Sequence, residues 1–302
     1  MQSFFPRMRS IVVTRGDAAG IGPEIIAAAL ASGKLHPGFS YSVLGEADAA
    51  PGKPTPESAR AAVRALEDAA SLALAGEADA VVTGPVSKAR IKEAGFHFPG
   101  QTEFFAARAG VENFAMLLTG GALTVALVTA HVPLQAVAGL LSEAEIARVG
   151  SLLAGFALER KPAARIAVAG LNPHAGESGT LGTEELEIIA PAVEKLRAEW
   201  EGRARFDGPV SPDTVFHRAA LGEWDAVLCM YHDQGLIPLK LHAFDSGVNV
   251  TLGLPFIRTS PDHGTAFELA GRGVARPGSM IAAINLAAEL ALKRKSRYAS
   301  PK

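Results

Sequence analysis

The sequence predicts an α/β protein with a mostly parallel sheet, helices on both of its faces, and two lobes. Three observations carry that reading. Short apolar runs alternate with stretches of helical period along most of the chain. The strand-like run Ile11 to Thr14 leads through the loop Gly16-Asp17-Ala18-Ala19-Gly20-Ile21-Gly22-Pro23-Glu24 into a helix, the order in which open α/β sheets build ligand crevices. The chain has 302 residues, more than one typical core holds.

The elements follow in order. Pro23 suits the first turn of the first helix. After a proline-rich connection at Pro51 to Pro56, Thr55 and Pro56 start a helix that runs to Leu74 and is ended by Gly76. Ala80 to Val82 is a strand broken by Thr83-Gly84-Pro85. Thr124 begins an apolar run that ends at His131. Ser142 and Glu145 have the spacing of a capping box for a helix reaching about Lys161. Ile166 opens another run ending at His174. Thr183 starts a helix whose apolar face takes in Leu186, Ile189, Val193 and Leu196. A third run goes from Ala226 to His232, and Met280 to Leu292 reads as an amphipathic core helix.

Composition bounds the function. Apolar residues make up 48% of the chain and charged residues 20%, enough for a packed interior and without a signature of disorder. With 29 basic and 31 acidic residues the net charge is −2, which argues against a broad footprint for nucleic acid or anionic lipid. An anionic substrate must then be held by a local cluster. No apolar stretch is long enough for a signal peptide or a membrane span. The lone Cys229 lies in a strand-like run and excludes an internal disulfide, so a buried inert thiol and a cytoplasmic location are expected.

His131, His174 and His232 each follow a strand-like run. Strands that end together in an open sheet deliver their next residues to one crevice, where three neutral imidazoles would hold a divalent metal and leave positions for substrate. Glu177 and Asp233 are candidates to accept the second ring proton. A hydrolase would also fit three histidines, and each histidine alone is explained as well by a structural hydrogen bond. The remaining histidines lack that position, and His36, His97 and His217 read as surface or loop residues.

The stretch from Lys240 to Arg272 is the second concentration of chemistry. Lys240 and Arg258 are cations in apolar surroundings, which calls for an anion beside them, either a ligand phosphate or carboxylate or an internal ion pair. Asp262-His263-Gly264-Thr265-Ala266 and Ala270-Gly271-Arg272-Gly273 form a glycine-rich turn able to approach a dinucleotide. The first glycine loop matches neither a dinucleotide fingerprint nor a P-loop, and a tight strand-to-helix turn explains it.

Five segments carry a family resemblance: Thr83-Gly84-Pro85-Val86, Pro99-Gly100-Gln101-Thr102-Glu103-Phe104-Phe105, Gly170 to Glu177, Met230 to Leu236, and Val248 to Gly271. They resemble the signatures of 4-hydroxythreonine-4-phosphate dehydrogenases, enzymes of the vitamin B6 pathway. The match runs from about Val12 to the C-terminus; the C-terminal motif is the most specific part and Leu44 to Glu77 the poorest.

The resemblance implies an isocitrate/isopropylmalate dehydrogenase-like fold and a homodimer, with an active-site cleft between lobes that takes residues from both subunits. It places a nucleotide-binding lobe at 1–100 plus 250–302 and a central metal-binding and dimerisation lobe at 101–249. By position it implies His131, His174 and His232 as metal ligands and Gln101, Thr102, Lys240, Asn249 and Arg258 as substrate contacts. His263, Gly264, Thr265 and Ala266 are expected to contact NAD or NADP, Lys88 and Asp213 are accessory candidates, and the metal is expected to be zinc, with cobalt or magnesium as alternatives.

The implied reaction oxidises 4-phosphooxy-L-threonine at C3 with decarboxylation to 3-amino-2-oxopropyl phosphate. Three positions depart from the family pattern. Ala18 replaces a usual proline, Ser87 a larger polar residue, and Gln101 the usual histidine of G-H-T-E. Glutamine can donate a hydrogen bond but carries neither a mobile proton nor a charge. Paralogues that oxidise 4-phospho-D-threonate or 4-phospho-D-erythronate are therefore the alternative.

Overall fold

The computed structural model describes residues 8–46 and 48–298, with the side chains of 295–298 excepted. Along the chain the strands are β1 (Arg9–Thr14), β2 (Phe39–Leu44), β3 (Ala80–Thr83), β4 (Ala115–Gly120), β5 (Leu123–Leu127), β6 (Ala164–Ala169), β7 (Ala204–Val210), β8 (Ala226–Cys229), β9 (Val248–Leu252) and β10 (Ile257–Pro261). The helices are α1 (Gly22–Ala31), α2 (Pro56–Leu74), α3 (Lys88–Glu93), α4 (Gln101–Arg108), α5 (Val137–Leu140), α6 (Glu143–Arg160), α7 (Ala190–Glu199), α8 (Pro212–Ala220), α9 (His232–Ala243) and α10 (Gly278–Tyr298).

Two compact units divide the chain. One runs to Glu112 and resumes at Leu254; the other is Asn113–Gly253.

In the first unit the strand order is β2-β1-β3-β10, every pair parallel, with Thr14 opposite Thr83 and Arg258 opposite Val81. Helix α2 packs on β1 and β3, and α10 packs on β3 and β10. The start of α2 is where Thr55 and Pro56 place it. Thr55 Oγ1 accepts from the Ser58 N–H at 3.1 Å and Ser58 Oγ accepts from the Thr55 N–H at 3.1 Å, satisfying two donors a helix start otherwise leaves unpaired. Ile11, Ile25 and Leu66 have no exposed surface, each burial being worth roughly 1.5–3 kcal/mol.

In the second unit the order is β9-β4-β5-β8-β6-β7. Here the expected mostly parallel sheet takes in one antiparallel strand. β5, β8, β6 and β7 are parallel, but β4 runs antiparallel to both of its neighbours. The reason is a two-residue hairpin: Gly120 pairs with Leu123, and Gly121 takes φ +56, a left-handed value that costs glycine little. The core between this sheet and its helices holds Leu118, Val125, Val215, Val227, Cys229 and Leu239. Cys229 is free, and burial pushes its thiol pKa up, so it stays protonated and unreactive.

Two local expectations change. At α6 the Ser142 side chain accepts from the Glu145 N–H at 3.2 Å, but the Glu145 carboxylate pairs with Arg148 (2.8 Å) instead of turning back to the cap. The helix expected from Thr183 begins with a π-turn over Glu185–Ile189 before α7. That wide turn shifts the helical register, leaving Leu186 56% exposed while Ile189, Val193 and Leu196 are fully buried.

Candidate functional site

In the first unit, three parallel strands end at one edge, and each is followed by a segment carrying polar chemistry. β1 gives the Gly16–Gly22 loop, β3 the Gly84-Pro85 turn and β10 the Asp262–Ala266 turn. Backbone bonds bind the three together: Asp17 N–H donates to Pro85 O (3.0 Å), Ile21 N–H to Thr265 O (2.9 Å) and Gly84 N–H to Thr14 O (2.8 Å). The loop is close-packed here. Gly16 has φ +74 and a Cβ on it would lie 2.3 Å from Pro85 O, so only glycine fits.

Two polar atoms in this cluster are buried without a protein partner among the described residues, Asp17 Oδ2 and His263 Nε2. Asp17 Oδ1 accepts from the Ala19 N–H at 3.1 Å, so that carboxylate is half satisfied. Such atoms suit hydrogen bonds to a bound ligand.

Arg258 on β10 is 3% exposed. Its Nη2 donates to Thr83 Oγ1 at 2.6 Å and to Gln101 Oε1 at 2.8 Å, and the guanidinium carbon lies 5.7 Å from the centre of the Phe105 ring. Burial pulls its pKa down to about 10, with the Glu103 charge opposing the fall. Gln101 opens α4, and the neighbouring Thr102 is buried.

In the second unit, β5, β8 and β6 are adjacent and parallel, so the segments after Leu127, Cys229 and Ala169 leave the same edge of the sheet. Val128 N–H donates to Cys229 O (2.9 Å) and Thr129 N–H to Met230 O (3.1 Å), extending the pairing toward the histidines. His131 and His232 stand side by side, ring centres 5.7 Å apart. A pair of imidazoles bound tetrahedrally to one ion, each nitrogen about 2.1 Å away, has ring centres roughly 5–6 Å apart. These two residues therefore fit a shared cation.

His131 and His232 line a pocket of about 240 Å³ with Tyr231, Asp233, Leu134 and Val137. His232 Nδ1 donates to the Asp233 carboxylate at 2.7 Å, which fixes the tautomer and leaves Nε2 as the nitrogen able to accept or ligate. Among the described residues no such bond joins Glu177 to His174.

His174 does not complete the pair. Among the described residues no group of three or more His, Cys, Asp or Glu side chains is arranged around one metal position. His174 lies in a left-handed turn in which residues 174–178 all have positive φ, between 43° and 79°. Its imidazole lies within electrostatic reach of Asp213 in the first turn of α8. The Ser211 hydroxyl, donating at 2.6 Å, is the main cause holding the Asp213 carboxyl below the ordinary range, and His174 adds a smaller pull.

Lys240 is exposed on α9 and not semi-buried as its apolar neighbours suggest, because Ile237 and Leu241 are themselves exposed. Asn249 is half-buried on β9 opposite Leu118. Lys88 is exposed at the start of α3, and His36, His97 and His217 are exposed.

Two residues that the sequence does not single out organise the histidine edge. Gln234 Nε2 donates to Gly170 O (2.7 Å) while its Oε1 accepts from the Met230 N–H (2.7 Å), joining the segments after β6 and β8. Glu185, 2% exposed, accepts from the N–H groups of Leu171 and Asn172, both at 2.7 Å, and from Asn172 Nδ2 at 3.0 Å. Only the neighbouring acids of Glu184-Glu185 hint at it, and they read as an ordinary helix start.

No described helix is long and apolar enough to cross a membrane. Residues 24–287 match the family model of the pyridoxal phosphate biosynthetic protein PdxA. The 4-hydroxythreonine-4-phosphate dehydrogenase of Caulobacter vibrioides is 42% identical, covering 95% of this chain and 98% of its own. The crystal structure of the Klebsiella pneumoniae 4-hydroxythreonine-4-phosphate dehydrogenase superposes with a TM-score of 0.78 at 37% identity, covering 94% of this chain and 99% of that one. At 18% identity and a TM-score of 0.55, a β-decarboxylating dehydrogenase from Thermococcus kodakarensis shares the fold, covering 93% of this chain and 81% of that one. The architecture is thus the isocitrate/isopropylmalate dehydrogenase-like α/β fold, and the chain belongs to the PdxA family of pyridoxal phosphate biosynthetic proteins, in which it is an oxidoreductase.

Proposed function

We propose that this chain oxidises 4-phosphooxy-L-threonine at C3, using NAD or NADP and a divalent metal, and releases carbon dioxide to give 3-amino-2-oxopropyl phosphate. The observation that carries the reading is the adjacent pair His131 and His232 in a pocket at the ends of parallel strands. Family membership and the names of the relatives support the substrate. When bound, the metal, zinc before cobalt or magnesium, supplies a Lewis acid for the substrate alcohol while the nicotinamide accepts its hydride.

The chain's own residues do the rest. His131 and His232 would hold the metal, and Asp233 keeps the His232 ring in the ligating tautomer; His174, the third donor the resemblance implies, does not stand with them here. Lys240 and Arg258 hold the substrate anions, Thr102 and Asn249 orient the substrate, and Gln101, the remaining contact the resemblance implies, stands against Arg258. The turn His263, Gly264, Thr265 and Ala266 takes the dinucleotide, a role supported by the buried His263 Nε2, which has no partner among the described residues. In the balance of the reaction the C3 hydrogen leaves as hydride to the nicotinamide, the hydroxyl proton goes to solvent, and the bond to the carboxylate breaks with its electrons staying on C2, which takes up a proton from solvent as carbon dioxide leaves.

Residues 1–100 with 250–302 serve as the nucleotide-binding lobe and 101–249 as the metal-binding and dimerisation lobe. A homodimer with a shared active site is supported by the outer face of α9, where Ile237, Leu241 and Phe244 are 64%, 89% and 74% exposed at helical spacing. The cytoplasm, where a lone buried thiol such as Cys229 is at home, is the compartment of this reading.

The test is a substrate panel under defined metal with both nicotinamides, followed by nicotinamide absorbance. Turnover of 4-phosphooxy-L-threonine that disappears on chelation is expected. Preference for 4-phospho-D-threonate or 4-phospho-D-erythronate would establish the second reading, which the Gln101 departure keeps open; no reduction with any of them would refute both.

A further inference from the structure

Gln101 is placed to do something other than touch substrate. Its Oε1 accepts from Arg258 Nη2 (2.8 Å), and its Nε2 lies 3.4 Å from Gly84 O. A guanidinium only donates and a backbone carbonyl only accepts, so the two partners fix which way the amide points. The same Arg258 nitrogen also donates to Thr83 Oγ1, and Phe105, one turn along α4 from Gln101, lies beside the guanidinium. The buried cation is thereby held from β3 and α4 at once.

The charged groups placed at this position are Arg258 from β10 and Glu103 from α4; Thr83 and Gly84 carry no charge. A histidine at 101 could accept from Arg258 only while neutral. Once protonated it would be a second cation facing the first.

We infer that Gln101 is a positioning residue that sets the Arg258 guanidinium for the substrate anion, and that its neutral amide keeps this setting constant through the pH range in which an imidazole titrates. The proposal rests on Arg258 holding an anion, the reading given above. It gives this chain a different acid-side behaviour from an enzyme with histidine at that place.

The test compares the wild type with Gln101→His across about pH 5.5 to 8.5. The ratio of the two KM values for 4-phosphooxy-L-threonine cancels the substrate's own phosphate titration. Positioning predicts that the ratio rises about tenfold, roughly 1.4 kcal/mol, below about pH 6.5, with the kcat ratio flat. Direct contact of residue 101 with the anion predicts the opposite sign, because a protonated histidine would tighten binding; a falling or flat ratio overturns the proposal.

A second measurement needs no substrate. Held neutral beside Arg258, the folded-state histidine has a lowered pKa, so the unfolded chain binds more protons and the variant loses stability as pH falls below about 6.5. The gap in melting temperature from the wild type must widen on that side, and a constant gap overturns the contact. If the wild type turns over no substrate, the proposed function fails on its own, and the ratio is read from calorimetric binding of inorganic phosphate. If Gln101→His does not fold, Gln101→Glu keeps the acceptor but cancels the Arg258 charge, and weaker phosphate binding with an undiminished melting temperature is expected; unchanged binding overturns the proposal.

Discussion

Removal of the Glu185 carboxylate tests what holds the His174 loop. In Glu185→Ala, the N–H groups of Leu171 and Asn172, both bonded at 2.7 Å, and Asn172 Nδ2, at 3.0 Å, lose their acceptor. Hydrogen bonds to a charged group are worth roughly 1.5–3 kcal/mol each, and water entering the vacated space recovers part of this, which leaves a cost of about 3 kcal/mol. Asn172 retains Glu184 as a second acceptor at 2.7 Å, which limits the loss. The assay is urea unfolding with hydrogen exchange at Leu171 and Asn172. A lower midpoint at unchanged slope and faster exchange at those two amides are expected. Glu185→Gln, which retains one oxygen for both amides, should lose less than half as much. An alanine variant as stable as the wild type, with slow exchange at both positions, would refute the role of the carboxylate.

Four further variants have expected outcomes. His232→Ala should abolish high-affinity zinc binding by calorimetry, and Asp233→Asn should weaken it by about 10- to 100-fold by releasing the ring orientation. Leu241→Asp on the exposed face of α9 should convert a dimer to a monomer in sedimentation, with the fold retained by circular dichroism. At Asp225, burial raises the carboxyl pKa, but hydrogen bonds from Lys161 and the Arg165 N–H outweigh it and hold the group below its usual value. A lowered carboxyl pKa contributes stability above the unfolded value of about 3.9 that is lost as pH falls through the folded one. Asp225→Asn should therefore cost stability at pH 7 and flatten the acid limb of the melting profile; an unchanged slope below pH 4 would contradict this.

Local chemistry made much of this protein legible. The cap at Thr55, the Ser142 cap and the strand Ala80–Thr83 rest on neighbours within a few residues, so the sequence alone carries them. The ends of β5, β6 and β8 were readable as well, because a buried parallel strand is a short apolar run and its C-terminal edge is where polar residues resume. The β4–β5 hairpin had a signal in Gly120-Gly121 between two apolar runs, while β2, half exposed, has no clear apolar stripe.

What only the tertiary structure decided are the partners distant in sequence. Gln101 meets Arg258 157 residues away, and Gln234 meets Gly170 64 residues away. Residue types at such separations do not reveal a distance, because register, twist and packing of whole elements determine it. The same holds for Lys240 and Leu186, whose apolar neighbours suggested burial: which side of a helix faces the core depends on what packs there and on one widened turn. His131 and His232 lie together because β5 and β8 are neighbours, whereas the placement of His174 follows from a left-handed turn that no local preference in its sequence specifies.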